Sequence, residues 1–241
     1  MVEKIKQALE RAYREREAVL GRTGQPEAEA EIPETEAQES QVSSPLPPGT
    51  AATADPILAP VISTSPTELL DNAPHVEINT RLLSSRRVVT FDDSHPAIES
   101  YRLLRTQLLQ RHERDKVNSF GITSPNPDEG KTLTSVNLAI SLARSADLRV
   151  ILLDADISNP STHALFGMRV EHGLIDYLGG TVPLDKLLVK LNIPHLWFGP
   201  GRIVRESLME RTGMGGFEHL LELLASDERN ILIADLPPVL A

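Results

Sequence analysis

The sequence predicts an α/β fold, a P-loop doubly wound and mostly parallel sheet with flanking helices. From residue 117 onward, apolar runs that suit buried strands alternate with amphipathic runs that suit helices. The first of these strands leads through a Pro-rich turn to Gly130-Lys131-Thr132 and then to an amphipathic helix. Strand, tight loop and helix N-terminus in this order are typical of a phosphate-binding loop.

The chemistry of this loop explains the prediction. Backbone N–H groups of the loop and of the first helical turn have no intrahelical acceptor, and the helix dipole adds positive potential there. Lys131 is expected to reach the β- and γ-phosphates of a nucleoside triphosphate, and the Thr132 hydroxyl to ligate Mg²⁺. The residues expected to contact the nucleotide are Pro127, Asp128, Glu129, Gly130, Lys131, Thr132 and Leu133.

The loop departs from the strict G-x-x-x-x-G-K-[ST] pattern. The first Gly position is Pro125, which has no N–H to donate to a phosphate, and Asp128 adds a carboxylate near the expected phosphates. Taken alone, the segment also fits a turn followed by an ordinary helix, so the nucleotide hypothesis depends on the strands that follow.

Two later strands end in aspartates. The segment 149–156, RVILLDAD, ends in Asp154 and Asp156, and the segment 231–238, ILIADLPP, contains Asp235 before two prolines. Ligands of open α/β sheets bind outside the carboxyl ends of the strands, and carboxylates there suit Mg²⁺. Each aspartate alone could merely cap a helix. Their common position at strand ends favours a metal–nucleotide site.

Composition limits the function classes. The chain has 241 residues, a formal net charge of −10 and no cysteine. The acidic balance argues against non-specific nucleic-acid binding, and the lack of cysteine excludes disulfides. No apolar run has the length of a spanning helix, and the N-terminus lacks the apolar core of a signal peptide. A cytoplasmic protein is expected.

Three regions follow from the composition along the chain. Residues 1–20 predict an amphipathic helix, and residues 21–75, rich in Pro, Glu, Ser and Thr, predict a disordered linker. Residues 76–241 are assigned to the P-loop domain, within which 95–113 predicts a helix.

The motifs SPNPDEGKT, LLDADISNP and IADLPP resemble the Walker A, Walker A′ and Walker B motifs of bacterial tyrosine kinases, the autokinases of capsule and exopolysaccharide loci. The short N-terminal helix, the acidic linker and the segment ESYRLLRTQL are similar to the exosortase-associated branch of that family. The resemblance implies an ATP- and Mg²⁺-dependent protein tyrosine autokinase that regulates exopolysaccharide synthesis and export.

The resemblance also implies roles for individual residues. Lys131 and Thr132 would bind ATP and Mg²⁺, and Asp235 would hold the metal through water. Asp154 and Asp156 would coordinate Mg²⁺ and supply the base that accepts the tyrosine proton, with the choice between the two left open. Phosphoryl transfer mainly requires positioning and charge neutralisation, which these residue types provide.

Glu99, Arg102 and Arg105 follow the family's Glu-x-x-Arg-x-x-Arg pattern, which implies a ring-like homo-oligomer. The alternative is an intrahelical ion pair on a solvated face. The resemblance further implies a membrane polysaccharide co-polymerase as partner, which would recruit the protein to the inner face of the cell membrane.

Several departures favour a second hypothesis. Ser158 stands where the family's second motif usually has Arg, and Asp128 where it often has Gly. The chain ends at Ala241, just past the third motif, so an incomplete C-terminal part is expected, without the family's tyrosine cluster. The tyrosines present are Tyr13, Tyr101 and Tyr177.

We therefore expect weak or no autophosphorylation, and keep as the alternative a catalytically weak or inactive P-loop regulator that assembles with the co-polymerase. A partition-type ATPase is disfavoured because its signature lysine position is Asn126.

Overall fold

The computed structural model describes residues 65–89, 94–144, 147–203 and 214–240, which form one sheet with helices on both faces. The helices are α1 Pro66–Asp71, α2 Thr80–Ser85, α3 Ile98–Asp115, α4 Lys131–Ala143, α5 Thr162–Phe166, α6 Leu174–Leu178, α7 Leu184–Leu187 and α8 Met214–Ala225. The strands are β1 His75–Val76, β2 Ser119–Ile122, β3 Arg149–Asp154, β4 Val189–Leu191, β5 Leu196–Gly199 and β6 Asn230–Asp235.

The sheet has six strands in the order β1-β4-β5-β3-β6-β2. All neighbouring strands are parallel except β4 and β5, which are antiparallel. The predicted mostly parallel α/β sheet is therefore confirmed. In this register Asp154 of β3 lies opposite Asp235 of β6, and Ile122 of β2 lies opposite Asp235 on the other side. The carboxyl ends of the three motif-bearing strands thus meet at one edge.

Helices cover both faces because the central strands are apolar on both. In β3, Ile151 and Leu153 pack into one core with α6, α7 and α8, while Val150 and Leu152 pack into the other with α2 and α4. Successive strand residues point to opposite faces, so a run without polar residues requires a layer on each side. The two layers fix β3 and β6 rigidly beneath the edge where the aspartates lie.

The predicted linker was wrong for its last residues. Helix α1 begins at a Ser65–Glu68 capping box and buries Leu69 and Leu70 in the core. The indole Nε1 of Trp197 donates a hydrogen bond to the Leu70 carbonyl oxygen at 2.7 Å. The domain therefore includes residues from 65 rather than 76. Composition missed this helix because its two leucines gain a partner only in the folded sheet.

The predicted helix at 1–20 and the linker prediction up to residue 64 lie outside the described residues. The predicted helix at 95–113 is confirmed as α3. No helix in the described ranges combines the length and apolar character needed to cross a membrane.

Candidate functional site

The loop between β2 and α4 turns sharply just before the helix begins. Gly130 adopts φ +90° as the residue that precedes Lys131, a conformation that glycine reaches without strain. Asp128 also has a positive φ, +61°, where the resemblance led us to expect glycine. Asn126 is held within the loop, where its backbone N and side-chain Nδ2 donate to Glu129 at 3.2 and 2.8 Å. The loop is thus closed upon itself ahead of the helix.

Lys131, the first residue of α4, forms an ion pair beneath this turn. Its Nζ lies 2.5 Å from Asp156 Oδ2, and the two side chains are only 8% and 3% exposed. The other oxygen of Asp156 accepts the Asn159 N–H at 3.0 Å. Both oxygens of Asp156 are therefore bound, and the cation that a phosphate would need is held next to a carboxylate.

Asp154 and Asp235 are fully buried beside this pair, at the ends of β3 and β6. Thr162 joins them, since its N–H donates to Asp154 Oδ2 at 3.0 Å and its hydroxyl to Asp235 Oδ2 at 3.3 Å. Ser135 of α4 donates to the other oxygen of Asp235 at 3.2 Å. Asp154 Oδ1 has no hydrogen-bond partner within the described part of the chain. Such an unpartnered buried oxygen is costly and marks a place where a donor or a cation would fit.

Burial sets the protonation of these groups. Desolvation raises the pKa of Asp154 to about 7, and the nearby charge of Asp235 adds to this. Desolvation also raises the pKa of Asp235, against the lowering influence of the Lys131 charge and of the Thr132 and Ser135 hydroxyls. Burial therefore disfavours the charged form of both carboxyl groups, and a bound cation would favour it.

A cleft of about 670 Å³ opens above these residues, within the size range of small-molecule sites. It lies between the loop, the segment after β3 and the prolines after β6. Its lining residues are Pro127, Asp128, Gly130, Lys131, Thr132, Leu133, Asp156, Ser158, Asn159, Ser161, Ala164, Leu165, Pro237 and Pro238.

The structure sorts the predicted site residues into two groups. Six of the seven loop residues line the cleft, while Glu129 bonds to Asn126 instead. Asp156 lines the cleft, whereas Asp154 and Asp235 lie behind it. Sequence reasoning missed Thr162, which links the two buried aspartates, because nothing local distinguishes it from an ordinary helix-start residue. Pro237 and Pro238 carried a signal, since only Leu236 separates them from Asp235.

The residues fit a hard cation whose coordination shell is completed by ligands from outside the protein. In the described ranges, no group of three or more His, Asp or Glu side chains is arranged to hold a metal by itself. The side-chain groups available as metal ligands are the Thr132 hydroxyl, the Asp154 oxygen without a described hydrogen-bond partner and the Asp235 carboxylate. All of them offer oxygen atoms, which Mg²⁺ prefers. Mg²⁺ commonly keeps several waters and binds through phosphates, so this incomplete set suits a metal brought in with a nucleotide.

The predicted interface residues lie on α3, away from the cleft lining. Arg102 Nη1 is 2.6 Å from Glu99 Oε1, in the intrahelical pair that the alternative hypothesis describes. Arg105 Nη1 lies 3.4 Å from the backbone oxygen and hydroxyl of Ser141 on α4. Self-association through these residues stays a prediction.

Comparisons with known proteins agree with this geometry. Residues 120–232 match the CobQ/CobB/MinD/ParA nucleotide binding domain. The chain is 32% identical over 180 residues to a putative tyrosine-protein kinase in the cps region of Klebsiella pneumoniae, covering 70% of this chain and 25% of that protein. It is 33% identical over 144 residues to the tyrosine-protein kinase CpsD of Streptococcus pneumoniae, covering 59% of this chain and 62% of that protein.

Among solved structures, the kinase domain of the Escherichia coli tyrosine kinase ETK superposes with a TM-score of 0.58 at 32% identity, covering 64% of this chain and 60% of that one. The resemblance to bacterial tyrosine kinases and the P-loop fold are thus confirmed. The chain spans only a fifth to a quarter of several of the curated relatives it matches.

Proposed function

We propose that the cleft binds ATP with Mg²⁺ and that the chain transfers the γ-phosphate to tyrosine, as a kinase that regulates exopolysaccharide or capsule synthesis and export. The observation that carries the proposal is the arrangement of Lys131, Thr132 and Asp156 in one cleft, at the N-terminus of α4 and above the buried strand-end Asp235. The names of the similar proteins support the assignment of a tyrosine kinase activity to that cleft.

In this proposal the loop N–H groups and Lys131 bind the phosphates. Lys131 exchanges its contact with Asp156 for the β- and γ-phosphate oxygens, which frees the Asp156 carboxylate inside the cleft. Mg²⁺, when bound, neutralises charge on the transferred phosphate. Thr132 and Asp235 would hold it, directly and through water respectively.

Asp156 is the better candidate for the base on the tyrosine hydroxyl. A general base has to reach the proton that it accepts, and Asp156 lines the cleft whereas Asp154 is fully buried behind it. Asp154 is then left with a role toward the metal, for which its Oδ1 is suited because no residue in the described ranges bonds to it.

One observation favours the alternative of a catalytically weak regulator. Lys131 is the one cationic side chain among the described residues that line the cleft, and Ser158 stands in that lining where the resemblance implies Arg. A single cation, already paired with a carboxylate, neutralises less of the charge on a transferred phosphate. Nucleotide binding without efficient transfer is the behaviour that this composition favours.

The proposed partners are a second copy of the chain and a membrane polysaccharide co-polymerase. The exposed Glu99–Arg102 pair on α3 presents charges that a neighbouring copy can engage. Recruitment to the cell membrane would then depend on the co-polymerase. Both proposals rest on the resemblance to the kinases of polysaccharide loci.

Incubation with labelled ATP, Mg²⁺ and a tyrosine-containing copolymer tests the kinase proposal. We expect weak autophosphorylation and measurable transfer to the copolymer, both abolished in Asp156→Asn. Tyr177 is 3% exposed and is not expected among the labelled residues. Normal nucleotide binding with no phosphotyrosine on either acceptor would replace the kinase by the regulator, and no nucleotide binding would exclude both.

A further inference from the structure

A clamp outside the cleft lining holds the segment that follows β5. Arg202 donates from Nε and Nη2 to the two oxygens of Asp176 at 2.9 and 2.6 Å, a bidentate pair in which Asp176 is 5% exposed. Asp176 also accepts the Gly173 N–H at 2.8 Å, and Leu174 N donates to the Pro200 carbonyl at 2.7 Å. The segment 200–202 is therefore tied to the start of α6 at several points.

On its other side this segment presses against Asp154. A Cβ added to Gly201 would lie 2.9 Å from Asp154 Cγ, 3.0 Å from its backbone oxygen and 2.5 Å from Pro160 Cβ. Such distances leave no room for even a methyl group. The Gly201 backbone is thus one wall of the space that holds the Asp154 carboxylate.

The hydrogen bonds of Asp154 alone do not fix that carboxylate. One oxygen accepts the Thr162 N–H, and the other has no hydrogen-bond partner in the described ranges. A carboxylate held through one oxygen by one residue, here Thr162, can rotate about its Cβ–Cγ bond unless packing prevents it. Gly201 supplies such packing, and it lies between Pro200, which accepts the Leu174 N–H, and Arg202, which pairs with Asp176.

We propose that Arg202 is a positioning residue which, held by Asp176, keeps Gly201 against Asp154 and so fixes the Asp154 carboxylate against Thr162, behind the cleft. The geometric part of this inference stands on the contacts alone. Its consequence for Mg²⁺ and nucleotide rests on the proposed function.

Amide hydrogen exchange measures the geometric part directly. The Thr162 N–H is protected by Asp154 Oδ2, so Arg202→Lys, Asp176→Asn and Gly201→Ala should each speed its exchange at least tenfold. Arg202→Lys keeps the charge but loses the bidentate fork. The matched control is Arg149→Lys, which alters a comparable ion pair with Asp227 at the other end of the sheet and should leave Thr162 exchange within twofold of wild type.

Two results of this experiment would overturn the proposal. Unchanged Thr162 exchange in Arg202→Lys would show that the clamp does not act on Asp154. Equal acceleration of Thr162 and of the β3 amides would show that the pair only stabilises the whole fold.

ATP titrations over a range of Mg²⁺ concentrations test the consequence. We expect Arg202→Lys to raise the half-saturating Mg²⁺ concentration at least fivefold while the affinity for ATP in EDTA stays unchanged. An equal loss of affinity with and without Mg²⁺ would contradict positioning through Asp154. If wild type binds no ATP, the proposed function fails, and hydrogen exchange still decides whether the clamp holds Asp154.

Discussion

Aspartates lie at both ends of the central strands β3 and β6, but their electrostatic surroundings are opposite. At the amino ends of β3 and β6, Asp227 accepts hydrogen bonds from Arg149 at 2.9 Å, Thr67 at 2.9 Å and Arg229 at 3.2 Å. At the carboxyl ends, Asp154 and Asp235 lie side by side, and one oxygen of Asp154 has no hydrogen-bond partner among the described residues. The amino end surrounds its carboxylate with two arginines and a threonine, whereas the carboxyl end places two buried carboxyl groups side by side.

The pKa values follow this contrast. Hydrogen bonds from Arg229, with Thr67 and Arg149 adding to them, hold the pKa of Asp227 below its usual value. Burial raises the pKa of Asp154 to about 7. The amino end therefore stabilises the fold, whereas the carboxyl end destabilises it in a way that a bound cation would relieve. Where a protein tolerates such a cost, a binding function is the usual reason.

The largest effect is expected from Asp154→Asn. Because folding raises this pKa, the folded state holds the proton more tightly than the unfolded chain, and wild type loses stability as the pH rises from about 4 to about 7. The amide has no charge to bury, so the variant should be more stable at pH 8 by on the order of 3 kcal/mol and equal to wild type near pH 3. Urea unfolding in EDTA across this range measures it.

Asp147→Asn, an exposed aspartate beside β3, serves as the control for the loss of one carboxylate and should change stability at pH 8 by less than about 0.5 kcal/mol. A less stable Asp154→Asn at pH 8 would mean that this carboxylate is neutralised within the protein, and the contrast between the two ends would disappear.

Asp227→Asn should shift stability in the opposite direction. The lowered pKa means that Asp227 stabilises the fold above about pH 4, and that this contribution is lost as the pH falls further into the acid range. Removing the charge-assisted hydrogen bonds should cost about 2 kcal/mol at pH 7. Arg229→Gln, which removes only the exposed arm of the cluster, should cost less than about 1 kcal/mol. Equal costs would show that Arg149 and Thr67 contribute little.

Lys131→Ala tests whether the cleft at the carboxyl ends of the strands binds ATP. We expect at least a tenfold loss of ATP affinity, about 1.4 kcal/mol, because the phosphates lose their one cationic side chain in the described lining. Calorimetry against Lys186→Ala, an exposed lysine on α7, gives the comparison. Equal affinities in Lys131→Ala and wild type would remove the nucleotide assignment from this cleft.

The smallest effect on stability is expected on the exposed flank of the domain. Combined Arg102→Glu and Arg105→Glu should cost about 1 kcal/mol at most, since the Glu99–Arg102 pair is exposed and the Arg105 bonds to Ser141 are long, at 3.4 Å. Self-association should nevertheless shift toward monomer in sedimentation, with circular dichroism unchanged. Arg114→Glu, near the far end of α3, should leave association intact. A wild-type chain that is monomeric at high concentration would refute the interface.

The sequence by itself determined the features that depend on neighbouring residues. The apolar run of β3, the loop that ends at Gly130 and the aspartates at strand ends are local patterns, and the parallel sheet with its phosphate loop follows from them. Because parallel strands share one direction, residues at their carboxyl ends meet at one edge whatever the strand order.

Only the tertiary structure decided which of these residues face the cleft. Asp156 lines it while Asp154, two residues earlier and still within β3, is enclosed by Thr162 and Gly201. The docking of α1 on Trp197 and the clamp of Arg202 on Asp176 likewise join residues distant in sequence. Such contacts depend on the strand order and on how each crossover packs, and no local periodicity encodes either of these.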